Sequence, residues 1–265
     1  MEERIQKLIS ASGLMSRRAA EEAMNAGRVL LNGHRAALGE KADPVRDELL
    51  IDGKPLPAPD RHIYLMLNKP AGYVTTLSDE KGRKTVAGLT AAVETRVYPV
   101  GRLDVNSEGL LIMTNDGELA NALMHPSGGF RKTYRVKVQR DGDSGDKDLK
   151  AEALLPALAD SIEIDGRMTA PAEIVLRKTD GRTAVVDVTI SEGRNRQVRR
   201  LCEHAGLRVL QLTRIQEGPL SLGHLHSGAF RYLTAREVAA LKQALKTNNC
   251  PEKQERRETW QQRQA

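Results

Sequence analysis

The sequence predicts an α+β protein: a small helix-and-hairpin module followed by a longer, strand-rich domain on a mixed or antiparallel sheet. Three observations carry this. Two short amphipathic helices and two Asx-Gly hairpins fall within residues 1–58. A proline-rich stretch, PLPAPDRH at 55–62, reads as a linker. Downstream, apolar strand patterns outnumber helices and do not alternate with them as strand-helix-strand units.

In the first module, Ile5, Leu8 and Ile9 fall at helical spacing within residues 2–11, and Gly13 ends that helix. Ser16 caps a second helix, with Ala19, Ala20, Ala23 and Met24 inward and Gly27 as its stop. RVLLNGHRA and LLIDGKPL then read as hairpins turning at Asn32-Gly33 and Asp52-Gly53.

After the linker, IYLMLNKP is a continuous apolar strand, expected to be buried on both faces. VYPV and LLIMT are further strands, and NDG at 115–117 turns into the helix ELANALM. In KTYRVKV the residues Tyr134, Val136 and Val138 share one face. Residues 146–159 suggest a helix; SIEIDG, AEIVLRKTDG and TAVVDVTI are strands joined by Asp-Gly turns. RQVRRLCEHAG is a helix with Val198, Leu201, Cys202 and Ala205 inward, and LRVLQLTRI is a strand. Thr234 and Glu237 form a capping box opening a last helix. These readings give domains over 1–58 and 59–246, with a polar tail at 247–265 expected to be disordered.

The chain has 265 residues, a formal net charge of +6 and a sequence pI of about 9.4, a balance that favours a polyanionic partner. Cys202 and Cys250 lie too far apart in sequence for a disulfide framework, which fits a reducing cytoplasm. No secretory signal and no membrane-length apolar run is evident.

Three stretches could carry chemistry. In GRLDVNSEGLL, residues 101–111, Asp104 sits in a glycine-bracketed loop between two strands, as a turn former, a metal ligand or a nucleophile. Asp116 has a turn to explain it, and His224 and His226 lack a cluster at ligand spacing, so no metal site is expected. A reactive carboxylate must be ionised and held, which a buried arginine accomplishes. SEGRNRQVRR, 191–200, supplies Arg194, Arg196, Arg199 and Arg200 at a loop-to-helix junction, either as a solvated basic face, as phosphate contacts, or with Arg199 paired to a carboxylate. Tyr134, in a chain poor in aromatics, is an ordinary sheet residue or a platform for a base.

GRLDVNSEGLL resembles the catalytic motif of pseudouridine synthases. NKPAG at 68–72, KTYRV at 132–136 and EGRNRQVRRL at 192–201 resemble the companion motifs in the same order. The N-terminal RIQKLISASGLMSRRAAEEAMNAGRVLLNG is similar to an S4-like RNA-binding domain. Together they resemble the RsuA-type ribosomal RNA pseudouridine synthases, over about residues 2–245.

The resemblance implies a mainly antiparallel sheet carrying the active-site cleft and no cofactor or metal. It also implies Asp104 as catalytic carboxylate, Tyr134 packing against the target base, and Arg199 pairing with the aspartate. RNA contacts are expected from Arg17, Arg18, Arg28, Lys69, Arg102, Arg194, Asn195, Arg196 and Arg200. MTNDGELANALMHP and LSLGHLHSGAFRYLTAREVAAL look most like the branch acting on 23S rRNA near the peptidyl transferase centre; the 16S-specific branch is the alternative. The expected partner is ribosomal RNA, free or in a pre-ribosomal particle, acted on by a cytoplasmic monomer. A non-catalytic assembly factor and a metal-dependent nuclease are the rivals from other classes. One feature departs from the S4 pattern: residues 1–58 hold nine Lys/Arg and nine Asp/Glu, so that module has no bulk positive charge.

Overall fold

The computed structural model describes residues 2–58, 61–125, 129–141 and 151–248. The chain divides into two compact units, one of Met1–Ile63 with Val93–Val97 and Thr114–Gly117, the other of the remainder.

In the first unit, β1 (Glu3–Arg4) leads into α1 (Ile5–Ala11) and α2 (Arg17–Asn25). Ser16 caps α2 as its sequence predicts, accepting the Ala19 amide at 3.1 Å. The strands β2 (Val29–Leu31), β3 (His34–Arg35), β4 (Lys41–Ala42), β5 (Leu49–Ile51) and β6 (Lys54–Pro55) follow. Both predicted hairpins form, β2–β3 through Asn32 and Gly33 and β5–β6 through Asp52 and Gly53, all four residues at positive φ. Ile5, Ile9, Ala20, Ala23, Met24, Val29 and Ile51 make the small core.

The second unit is built on one large sheet. Its strands are β7 (Tyr64–Lys69), β8 (Tyr98–Pro99), β9 (Glu108–Thr114), β10 (Lys132–Arg140), β13 (Glu173–Thr179), β14 (Thr183–Ile190), β15 (Leu207–Glu217), β16 (Leu220–Ser221) and β17 (Phe230–Tyr232). Their order is β13-β14-β10-β15-β9-β7-β17, with β8 on β9 and β16 on β15. Most pairs are antiparallel; β15 and β9 run parallel, meeting at Thr213–Glu108 and Arg214–Gly109. The remaining elements are α3 (Val86–Leu89), α4 (Gly117–Met124), the hairpin β11 (Glu163–Ile164) and β12 (Arg167–Met168), α5 (Gln197–His204) and α6 (Ala235–Asn248).

Leu65, Met66 and Leu67 of β7 are fully buried, as the unbroken apolar run requires. One core gathers Met66, Leu110, Ile112, Leu119, Leu123, Leu241 and Leu245. The capping box closes both ways: Thr234 Oγ1 accepts the Glu237 amide at 3.2 Å, and Glu237 Oε2 accepts the Thr234 amide at 2.8 Å. The helix expected at 146–159 is a 3₁₀ helix over Ala151–Ala159, where Pro156 withholds an amide and disfavours α-helical continuation; 146–150 and the tail from 249 lie outside the described residues.

Candidate active site

The loop from Gly101 to Ser107 joins β8 to β9 and presents Asp104. Its backbone is pinned at both ends by buried side chains. Before Asp104, Thr75 Oγ1 donates to the Leu103 carbonyl at 2.7 Å and accepts the Leu103 amide at 3.3 Å. After it, Lys69 Nζ donates to the carbonyls of Ser107 at 2.7 Å, Pro70 at 3.0 Å and Val105 at 3.3 Å. The Gly72 amide also donates to the Val105 carbonyl at 2.7 Å. Lys69 is therefore not free to make the RNA contact expected of it, and the tight loop it forms with Pro70 and Gly72 has a structural part. Its side chain is wholly buried, and its ammonium fixes the loop. Burial pulls its pKa down to about 8, against the pull of Glu108 and Asp104.

Below the loop, β9 meets β15 at Gly109, whose φ is +103°. A Cβ there would lie 2.3 Å from the Arg214 carbonyl oxygen and 2.7 Å from its amide nitrogen. Only glycine permits this approach.

The SEGRNRQVRR stretch supplies the facing groups. Arg199 Nε lies 3.9 Å from Asp104 Oδ2, and Arg196 Nη1 lies 3.7 Å from the same oxygen. Arg199 Nη2 donates to the Asn106 carbonyl at 2.9 Å, so the guanidinium is held by the loop that it faces. Burial lowers the Arg199 pKa, with neighbouring Arg196 adding to the effect and Asp104 opposing it. The Asp104 side chain stays 37% exposed, so a ligand can reach it. Arg196 caps α5 in the left-handed region, φ 52°, a strained conformation for a non-glycine residue that aims its side chain at the loop.

Arg194 corrects another expectation. Its Nη1 donates to the Arg167 and Ile164 carbonyls at 2.5 and 3.1 Å, its Nη2 to Met168 at 2.7 Å, and its Nε to Glu192 at 3.0 Å. Glu192 in turn accepts from Gln197 Nε2 at 3.0 Å. With its donors committed to protein groups, Arg194 staples the start of α5 to the β11–β12 hairpin instead of serving a phosphate. Arg102, Asn195 and Arg196 are exposed, and Arg200 points an Nη toward Asp165 at 3.4 Å. Arg17 and Arg18 are exposed in the first turn of α2, while Arg28 is exposed and bidentate to Asp52.

Tyr134 is buried under the site, opposite Arg214 in the β10–β15 register. Burial raises its pKa; the charge of Arg214 works against that shift, and Asp104 is near enough to add to it. Arg214 is the residue that sequence reading missed as a site group. It is buried, donates Nε to the Leu110 carbonyl at 2.7 Å, and lies 3.2 Å from buried Glu217. Burial opposes its charge, but Glu217 and then Tyr134 hold its pKa above the ordinary value. Lys132, its pKa lowered by burial, neighbours the same pair. The available signal was the period-two pattern of β15, which puts Arg214 on the inward face with Leu212.

The arrangement is a reachable carboxylate facing two guanidiniums, above a tyrosine on a buried ion pair. Among the described residues no group of three His, Cys, Asp or Glu side chains could hold a metal ion, and no helix is long and apolar enough to cross a membrane.

Comparisons with known proteins bear on the family and the fold. The family model described as RNA pseudouridylate synthase matches residues 63–204, and the S4 domain model matches residues 3–45. A Bacillus subtilis protein named ribosomal large subunit pseudouridine synthase B is 40% identical over 243 residues, 91% of this chain and 96% of the relative. An Aquifex aeolicus protein named as an uncharacterized RNA pseudouridine synthase is 40% identical over 255 residues, 96% of this chain and 99% of the relative. A crystal structure titled pseudouridylate synthase superposes with a TM-score of 0.59 at 29% identity, covering 90% of this chain and 99% of that one.

Proposed function

The chain belongs to the RNA pseudouridylate synthase family, and on that premise we propose that it converts a specific uridine of 23S ribosomal RNA to pseudouridine at Asp104. The carrying observation is Asp104 itself: exposed to a ligand, on a pinned loop, with Arg199 and Arg196 at 3.9 and 3.7 Å.

The reaction detaches uracil from C1′, turns it and rejoins it through C5. The target must leave its stack, at a cost of a few kcal/mol, before C1′ can be reached. Exposed Arg102, Asn195 and Arg196 beside the loop are placed to take phosphates and offset that cost. Asp104 acts at the sugar as an anion, as nucleophile or base. Arg199 faces it at 3.9 Å and holds its loop through the Asn106 carbonyl. Tyr134, opposite Arg214 in the register, lies under the base and takes part in removing the C5 proton.

The large-subunit substrate rests on the Bacillus subtilis relative's name and on the motifs after the catalytic loop. The same reading gives residues 1–58 the role of an accessory RNA-binding module and 59–246 that of the catalytic domain, in a cytoplasmic monomer. The test is tritium release from deproteinised 23S and 16S rRNA labelled at uracil C5, with wild type and Asp104→Asn. Release from 23S alone, lost in the variant, supports the reading. Release from 16S alone moves the substrate to the small subunit, and retained turnover by Asp104→Asn sinks the assignment.

A further inference from the structure

We propose that the solvent face of β13, β14, β10 and β15, on the opposite side of the sheet from Tyr134, is a second RNA-backbone surface that holds substrate RNA away from the target nucleotide. This rests on the uridine-isomerising reading for its partner, but on separate residues for its geometry.

Alternation along β10 sends Tyr134, Val136 and Val138 inward and Arg135 and Lys137 outward. The register sets the outward residues in rows. Val175, Asp187, Arg135 and Thr213 lie abreast, and Lys178, Val185, Lys137 and Gln211 form the next row. Arg177 stands in the β13 bulge between them. Gln139 and Arg208 continue the face, joined by a 3.1 Å hydrogen bond. Arg135, Lys137, Arg177, Lys178 and Arg208 are all exposed.

The carboxylate at the centre offsets only one of these five positive charges. Asp187 is 3% exposed and takes Nε and Nη2 of Arg135 at 2.9 and 3.0 Å and Nε of Arg177 at 2.7 Å. It fixes two guanidiniums while leaving one Nη of Arg135 and both Nη groups of Arg177 for another acceptor. Glu173 is paired with Arg131 at one margin, Glu108 accepts from Gln211 and Thr213 at another, and Asp180 caps the β13–β14 turn. Arg135 and Lys137 therefore stand roughly 7 Å apart along β10, and Lys137 and Lys178 roughly 10 Å apart across β14. Preorganised guanidiniums suit phosphate oxygens. A protein partner would want apolar or aromatic anchors at the centre; these strands expose three large apolar side chains, Val175, Leu176 and Leu210, against five exposed cations, and none of the outward residues is aromatic.

The test compares two charge-matched variants of the full chain: Lys137→Glu with Lys178→Glu on this face, and Arg236→Glu with Lys246→Glu on α6. Binding to full-length 23S rRNA is measured across a salt series. The face variant is expected to bind about tenfold more weakly, with a log–log salt slope smaller by about 2, and to raise KM without lowering kcat; the α6 variant stays near wild type. Lys137→Gln with Lys178→Gln, which adds no repulsion and little risk to folding, is expected to give an intermediate loss. Equal affinity and equal slope for the face and α6 variants overturns the proposal. Tritium release by wild type reads the catalytic assignment separately, so the two can fail independently.

Discussion

Asp104 and Arg199 approach to 3.9 Å without a hydrogen bond between them: Arg199 Nε is buried and faces the carboxylate, while Nη2 is anchored on the Asn106 carbonyl. The arginine is thus fixed by backbone, and the carboxylate oxygens remain free for a substrate. Arg199→Lys keeps a charge but cannot serve both positions. It is expected to lower kcat by about 10²-fold, with RNA affinity close to wild type. A single-turnover assay at saturating RNA reads this, and a pure loss of affinity would refute the role.

Gly109 tests whether the sheet or the loop sets that geometry. Gly109→Ala puts a methyl into the Arg214 backbone and strains a φ of +103°. The expected cost is about 2–4 kcal/mol, seen as a lower urea midpoint. Turnover should fall even where the protein is fully folded, because the β9–β15 contact carries the loop.

Lys69 gives a pH prediction. Its folded pKa of about 8 lies below the ordinary 10.5, because burial disfavours the charge. Between these values the unfolded chain holds a proton that the folded chain has released, so stability from this group rises with pH from about 8 toward 10.5 and is flat below. Lys69→Met lacks that slope and leaves three carbonyls short of a donor. Denaturation at pH 7.5, 8.5 and 9.5 should show the wild type gaining on the variant; a constant difference would rule the linkage out.

Arg194 separates structure from phosphate contact. Arg194→Ala is expected to reduce kcat by loosening the start of α5, and to leave the salt dependence of rRNA binding as in wild type. A shallower salt slope would return Arg194 to the RNA-contacting set.

Asp104, Tyr134 and Arg199 stood out because each lies in a local motif that resembles a family motif; residue types alone left Asp104 a turn former, a metal ligand or a nucleophile. The structure brings all three together at one end of the sheet. What the sequence hid was decided by distant pairing. Arg214 reads as one more charge in a basic stretch until the β10–β15 register sets it opposite Tyr134. Lys69 and Arg194 read as surface cations because nothing local shows that carbonyls from 105–107 and 164–168 converge on them. The two N-terminal hairpins were legible for the opposite reason, since Asn32-Gly33 and Asp52-Gly53 specify their turns within two residues. Pro156 was the local cue that the segment at 151–159 would be 3₁₀ and not α-helical.

The meeting of β9 with β15 has a consequence in time. Arg199 reaches the Asn106 carbonyl across 93 residues of sequence, and Arg214 reaches Leu110 across 104. A nascent chain therefore displays Asp104 well before it has synthesised the groups that restrain and face it. Pairing across such separations forms late, after the entropy of closing a long loop has been met. The constellation around Asp104 is thus incomplete until β15 has emerged and docked.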